Sequence, residues 1–271
     1  MVVEARDRPI GMFDSGLGGL TVARAVIDLL PHESLVYFGD TQRCPYGPRS
    51  PDEIRRFALE IADSLVAEDV KALVVACNAA ESAAFYEQER HYDIPVVTVI
   101  EPGVKAALAA TRNRRIGMIG TEATVASRAY DREIAKSRAN VSLISKACPK
   151  FVEFVERGDT TSDAVLTVAE DYLGPLKDAG IDTLILACTH YPLLSGVIQY
   201  VMGEEVVLVS SAEATANAVY ALLLENDLLS HSENLGTYRF ILSGPEEGGE
   251  LGRRFLGPEF GNAEHRPWDA S

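Results

Sequence analysis

Residues 184–192 read LILACTHYP. Leu184, Ile185, Leu186 and Ala187 form an apolar run that stops at Cys188, with Thr189 and His190 directly behind. Such a run reads as a strand buried on both faces in a parallel sheet. Pro192 suits the first turn of a following helix, where its missing N–H costs nothing. A thiol, a hydroxyl and an imidazole thus collect at the carboxyl end of a strand, the edge where open α/β sheets bind ligands. The design recurs at residues 73–78, LVVACN, where Cys77 and Asn78 follow a second apolar run.

Outward from these two stretches the chain alternates strand and helix. Ile10 to Phe13 reads as the first strand, followed by Asp14-Ser15-Gly16-Leu17-Gly18-Gly19 and a helix from about Leu20 to Leu30. Neither nucleotide-binding glycine spacing fits. G-x-G-x-x-G would need glycine where Thr21 stands, and the Gly11–Gly16 pair is followed by Leu17 instead of lysine. What remains is a tight turn needing positive φ, or a site turn at a strand end. Leu35 to Phe38 is a second strand, leading into a stiff loop in which Pro45 and Pro48 flank Tyr46-Gly47. Ser50-Pro51-Asp52-Glu53 combines an N-cap, a proline at N1 and a capping-box glutamate, opening a helix to about Glu68. Strand 73–76 follows, then a helix through Arg90, strand Val96 to Val99, and a helix opened by Glu101-Pro102.

At Ile116 the pattern restarts. Ile116-Gly117-Met118-Ile119-Gly120-Thr121 echoes Ile10-Gly11-Met12-Phe13-Asp14-Ser15, and Leu184 to Cys188 later echoes Leu73 to Cys77 at nearly the same offset. A strand near Val141 to Ile144, a helical stretch Phe151 to Arg157 and a helix capped by Thr160 or Thr161 lie between. Helix 193–202, strand 206–209, helix 212–225, strand Tyr238 to Leu242 and helix Glu246 to Phe255 complete the pattern. From Gly257 the tail reads as polar and loosely held. The expected fold is α/β, with two similar domains of mainly parallel sheet flanked by helices and a site in the cleft between them. Residues 1–98 plus 210–271 would form the first domain and 99–209 the second.

Composition bounds the chemistry. The 271 residues are 47% hydrophobic and 24% charged, as in globular domains, with a net charge of −15 that argues against direct nucleic-acid binding. The four cysteines are too sparse for a disulfide scaffold, and the five histidines are scattered, so neither a disulfide framework nor a metal site is expected. No apolar run approaches the roughly 18 residues of a membrane span, and the N-terminus lacks a secretory apolar segment. A reducing cytoplasm, where free thiols persist, is the expected setting.

Most free buried cysteines are small hydrophobes, and Cys44 and Cys148, each followed by proline, keep that reading. Cys77 and Cys188 differ, because each ends a buried strand and precedes a helix start, where N–H groups and the dipole favour a thiolate. His190 could serve Cys188 as the base of a cysteine nucleophile. Two matched thiols across a cleft suit another reaction: one removes a proton from a prochiral carbon and the other delivers a proton to the opposite face. An ordinary thiol pKa of about 8.5 makes both states accessible with modest tuning. Asp14 and His190 are the nearby groups able to exchange protons with the thiols.

The motifs FDSGLGGLTV, GDTQRCPYG, ACN, IGMIGT, CPKFVEFVERG and ACTHYPLL, running from Ile10 to about Ala212, resemble those of the glutamate racemases in the cofactor-independent aspartate/glutamate racemase superfamily. The resemblance implies an isomerase with two facing α/β domains and no pyridoxal phosphate or other cofactor. It implies that Cys188 acts on L-glutamate and Cys77 on D-glutamate. Asp14, Ser15, Pro45, Tyr46, Gly47, Asn78, Ala79, Thr121, Thr189 and His190 fall on substrate-binding positions, and Asp40 and Glu156 on acidic positions that assist around the thiols. It also implies a homodimer that supplies D-glutamate for peptidoglycan and cell-wall formation. Some members bind DNA gyrase, which adds a candidate partner. Nine residues precede Ile10, so activation through a longer N-terminal extension is not expected.

Two positions depart from the family pattern. Ala79 stands where threonine or serine is usual, removing a hydroxyl worth about 1.5–3 kcal/mol toward a charged acceptor. Glu81 stands where a small residue is usual; toward the cleft it would repel an anionic substrate, and outward on the helix it would be harmless. Two other functions are compatible with the sequence: a racemase for another acidic amino acid, or a racemase-derived protein with a regulatory binding role.

Overall fold

In the computed structural model, which describes residues 4–85, 92–245 and 249–268, the apolar runs become strands. They are β1 (Ile10–Asp14), β2 (Leu35–Gly39), β3 (Ala72–Val75), β4 (Val96–Thr98), β5 (Arg115–Gly120), β6 (Ser142–Ala147), β7 (Thr183–Ala187), β8 (Val207–Ser210), β9 (Tyr238–Leu242) and β10 (Glu264–His265). The helices through the first half are α1 (Leu20–Leu29), α2 (Pro51–Ala67), α3 (Asn78–Ala80), α4 (Ile100–Ala110), α5 (Glu122–Ser127) and α6 (Ala129–Lys136). Those after them are α7 (Lys150–Glu156), α8 (Asp163–Asp178), α9 (Ser195–Met202), α10 (Ser211–Glu225) and α11 (Gly249–Leu256).

The strands build two wholly parallel sheets, ordered β10-β9-β2-β1-β3-β4 and β6-β5-β7-β8. The order β2-β1-β3-β4 in one is repeated as β6-β5-β7-β8 in the other, so the restart at Ile116 is a repeat of topology as well as of sequence. Every residue of β1, β2, β3 and β7 is buried, which is why these strands read as unbroken apolar runs. The chain leaves the first sheet after β4 and returns after β8, through α4 and α10, which pack together. On this basis we propose the division into residues 1–98 with 210–271, and 99–209. Among the described residues no helix is long and apolar enough to cross a membrane.

Several local expectations change. The long helix α8 is capped by Ser162, whose Oγ accepts from Val165 N at 3.3 Å; Thr160 and Thr161 lie outside it, because Asp159 folds back to bind Ser162. Helix α4 begins one residue before Glu101, at Ile100. The helix expected through Arg90 is a short α turn, α3, that widens into a π turn over Glu81–Phe85; positions 86–90 lie outside the described residues, as does the expected start of the last helix at Glu246. The tail is held, contrary to expectation. Glu264–His265 pairs with β9, Arg266 forms ion pairs with Glu68 and Glu264, and the Trp268 ring packs 5.4 Å from Phe38.

Candidate active site

The equivalent strands β3 and β7 end in the two cysteines, and the equivalent strands β1 and β5 end in Asp14-Ser15 and Gly120-Thr121. All four ends border a cavity of about 300 Å³. Ser15, Pro45, Tyr46, Gly47, Cys77, Asn78, Ala79, Thr121, Glu156, Cys188, Thr189 and His190 all line it. So do residues with no such expectation: Cys44, Pro48, Glu122, Pro149, Val152 and Glu153. Cys44 therefore loses its reading as a mere core hydrophobe; its Sγ donates to Glu156 Oε1 at 3.8 Å. Cys148 keeps that reading, fully buried with its thiol turned to Lys146 O.

At one corner, Cys77 caps the turn that follows β3, its Sγ accepting from Ala80 N at 3.5 Å. Burial, then the Asp14 carboxylate, raise this thiol above its ordinary range, with bonds from Ala80 and Ser15 opposing. Asn78 beside it is buried, and its Oδ1 accepts from the Tyr130 hydroxyl at 2.6 Å. Its Nδ2 has no partner among the described residues, which leaves a donor at the cavity wall. Tyr130 is a residue that sequence reasoning missed, since nothing near it in sequence signals its role.

At the other corner, Cys188 Sγ lies 3.9 Å from His190 Nδ1, and His190 Nε2 lies 3.5 Å from Glu156 Oε1. Burial opposes a charge on the imidazole, but the Cys188 sulfur and then Glu156 outweigh it and push His190 up to about 10. Its imidazolium in turn holds the Glu156 carboxyl below its usual range. Phe255 of α11 packs edge-on against the His190 ring at 5.5 Å and fixes it from behind.

Asp14 and Asp40 stand behind the cavity and do not line it. Asp14 is fully buried, its Oδ2 accepting from Gly16 N and Gly19 N at 3.1 and 3.0 Å, its Oδ1 from Thr189 Oγ1 at 3.5 Å. It ties the first turn to the Cys188 corner. Asp40, expected to assist the thiols, is the acceptor that holds the Tyr46 hydroxyl. The Asp14–Gly19 turn does not need positive φ; among the described glycines only Gly158, Gly180, Gly203 and Gly257 have it. A Cβ on Gly18 would sit 2.4 Å from Thr189 Oγ1 and 2.5 Å from His190 Nδ1, so this glycine is there for close approach.

Glu81 takes neither expected direction. The π turn carries it inward, only 2% exposed, and its Oε2 accepts from Val99 N at 2.7 Å and Ile100 N at 2.8 Å at the start of α4. It bonds the Cys77 turn to the helix that enters the second sheet. Burial raises its carboxyl to about 7. Among the described residues no group of three or more His, Cys, Asp or Glu side chains is placed to hold a metal ion.

A sequence profile of the Asp/Glu/Hydantoin racemase family matches residues 20–219. A glutamate racemase from Beutenbergia cavernae is 55% identical over 266 residues, covering 93% of this chain and 91% of its own. One from Mycobacterium tuberculosis is 54% identical over 258 residues, covering 94% and 95%. Among solved structures, a glutamate racemase from Francisella tularensis in complex with D-glutamate matches with a TM-score of 0.90 at 37% identity, covering 97% of this chain and 99% of its own. One from Thermus thermophilus in complex with beta-chloro-D-alanine gives 0.86 at 42% identity, covering 97% and 98%. With two repeated sheets, a thiol at each equivalent strand end, and this similarity along nearly its whole length, the chain belongs to the glutamate racemases of the Asp/Glu/Hydantoin racemase family.

Proposed function

We propose that this chain interconverts L- and D-glutamate by proton transfer between Cα and two thiols, with no cofactor. The observation that carries the reading is the placement of Cys77 and Cys188 at equivalent strand ends on one cavity. Cys188 as thiolate takes the Cα proton of L-glutamate, the electron pair passes into the α-carboxylate, and the Cys77 thiol protonates Cα from the opposite face. D-glutamate reacts by the same steps in reverse. The enolate-like intermediate concentrates charge on the carboxylate oxygens, where preorganised donors act most strongly. Asn78 Nδ2 supplies an unpartnered donor at the cavity wall, which Ser15 and Thr189 also line. His190 holds positive charge beside Cys188, and Glu156 orients it.

Incubation of either enantiomer in D2O tests the reading: optical rotation should decay to zero while solvent deuterium enters at Cα. Absence of exchange with both enantiomers would overturn it. From the resemblance the reading also includes a cytoplasmic homodimer that supplies D-glutamate for peptidoglycan, with DNA gyrase as a further partner. Sedimentation at several concentrations tests the dimer, and pull-down with purified gyrase tests the partner.

A second reading, another acidic amino acid as substrate, is favoured by one feature. Ala79 presents a methyl group to the cavity where a hydroxyl donor is usual. A panel of acidic amino acids, compared by kcat/KM, separates the two.

A further inference from the structure

Trp268 is far in sequence from the cavity-lining residues, yet its indole reaches the back of the cavity wall. Its Nε1–H donates to Asp40 Oδ1 at 2.9 Å, an oxygen it shares with the Ser243 hydroxyl at 2.7 Å. The other oxygen of Asp40 accepts from Arg43 Nε at 2.7 Å and from the Tyr46 hydroxyl. Asp40 is fully buried, so these four donors replace water around a carboxylate that has about four acceptor sites. The Arg43 guanidinium is stacked between the Phe57 ring at 4.1 Å and the Trp268 ring at 4.2 Å. The backbone of Trp268 is fastened to the same loop, its N–H donating to Gln42 Oε1 at 2.8 Å. The side chain and backbone N–H of Trp268 thus land on residues 40–43, immediately before Tyr46 and Gly47 at the cavity wall.

We propose that Trp268 is a positioning residue for substrate binding: through Asp40 and Arg43 it fixes the wall formed by Tyr46 and Gly47. This rests on the racemase reading above. The proton-transfer groups Cys77, Cys188 and His190 are not among the partners of Trp268, so the loop it holds serves ground state and transition state alike. Loss of such uniform binding raises KM and leaves kcat. Trp268 is also the single tryptophan of the chain, so intrinsic tryptophan fluorescence reports this contact alone.

The experiment pairs a titration with a variant. Adding D-glutamate to the wild-type chain should change tryptophan emission saturably, because substrate and indole meet the same loop from opposite sides. Trp268→Phe keeps the ring stacking but deletes the N–H donor; it should raise KM for both enantiomers by about 3- to 10-fold, with kcat within about two-fold and the cooperative melting transition retained. Wild-type KM in that variant overturns the proposal, as does a parallel fall in kcat and melting temperature. If the variant does not fold, the wild-type titration decides, and flat emission overturns the proposal. A wild-type chain that does not turn over glutamate overturns the racemase reading and this proposal with it. A wild-type chain that does, beside an unaffected Trp268→Phe, overturns the positioning role alone.

Discussion

Cys77 and Cys188 occupy equivalent places in a repeated topology, but their surroundings differ in charge. Cys188 faces His190, which faces Glu156, a relay that offers a positive partner to the sulfur. Among the described residues Cys77 has no imidazole partner; it has backbone N–H, the Ser15 hydroxyl and the nearby Asp14 carboxylate, and burial raises its thiol above the ordinary range. In our reading the Cys188 corner, with its positive partner, acts on L-glutamate, and the Cys77 corner supplies the thiol that completes the transfer. Water is achiral, so the two enantiomers have equal free energy, and kcat/KM must be the same in both directions. The asymmetry of the corners is free to appear only in kcat and KM taken separately.

Removing either sulfur should give the largest effect. A positioned acid or base contributes about 10²- to 10⁴-fold, and racemisation needs both. Cys77→Ala and Cys188→Ala should each lose at least that factor in racemisation. The residual exchange sharpens the comparison. Cys77→Ala should still wash deuterium into L-glutamate with retained configuration, and Cys188→Ala into D-glutamate. NMR of each enantiomer in D2O reads this directly, and exchange with the opposite preference would reverse the facial assignment.

His190 comes next. Its imidazole is pushed up to about 10 opposite a Cys188 thiolate, so through neutral pH it remains protonated. His190→Asn keeps a polar group but removes the charge, and should lower kcat/KM about 100-fold for both enantiomers. The pH profile carries the sharper signature. Without the imidazolium beside the sulfur, the kcat/KM of the variant should respond to pH differently from that of the wild type. Parallel profiles would show that His190 binds substrate and does not support the thiolate.

These corners were legible because parallel strands bury both faces. The apolar run must end where the cavity begins, so Cys77 and Cys188 announce themselves as the first reactive side chains after LVVA and LILA. The repeat was legible for the same reason, through IGMFDS and IGMIGT. The surroundings of Asp40 were not legible because its partners Ser243 and Trp268 lie 203 and 228 residues away, and only the folded chain shows that its lone pairs are filled. Whether the turn Asp14–Gly19 was conformational or a site turn stayed open, because sequence does not show Thr189 and His190 pressing on Gly18. The direction of Glu81 stayed open between cleft and solvent, and it takes neither, because a π turn rotates the side chains that follow Ala80.

Glu81 gives a smaller effect that belongs to the Cys77 corner alone. Burial raises its carboxyl from 4.5 to about 7, so between those values the folded chain holds a proton that the unfolded chain has released. Its stabilising contribution is complete below about pH 4.5 and is lost as pH rises through about 7, a change on the order of 3 kcal/mol. Glu81→Gln cannot ionise and keeps an acceptor for Val99 N and Ile100 N. Relative to the wild type it should therefore become more stable from pH 5 to pH 8. Urea unfolding at the two pH values measures the difference, and a difference independent of pH refutes the assignment.

Cys44 should give the smallest effect, and it decides whether two corners are the whole device. It lines the same cavity, and its Sγ lies 3.8 Å from the Glu156 carboxylate. A third thiol on the cavity is a rival for either role. Yet burial, then the Glu156 and Asp14 charges, raise it above the ordinary thiol range, which makes it a poor base. Nor does it end a strand, so no helix start aims N–H groups at its sulfur. Its S–H donates weakly to Glu156, whose main partner is His190. Cys44→Ala should thus change kcat/KM by no more than about three-fold, the size of one weak hydrogen bond at a partly exposed acceptor. A loss comparable to that of Cys77→Ala would break the pairing and make Cys44 one of the two proton-transfer groups.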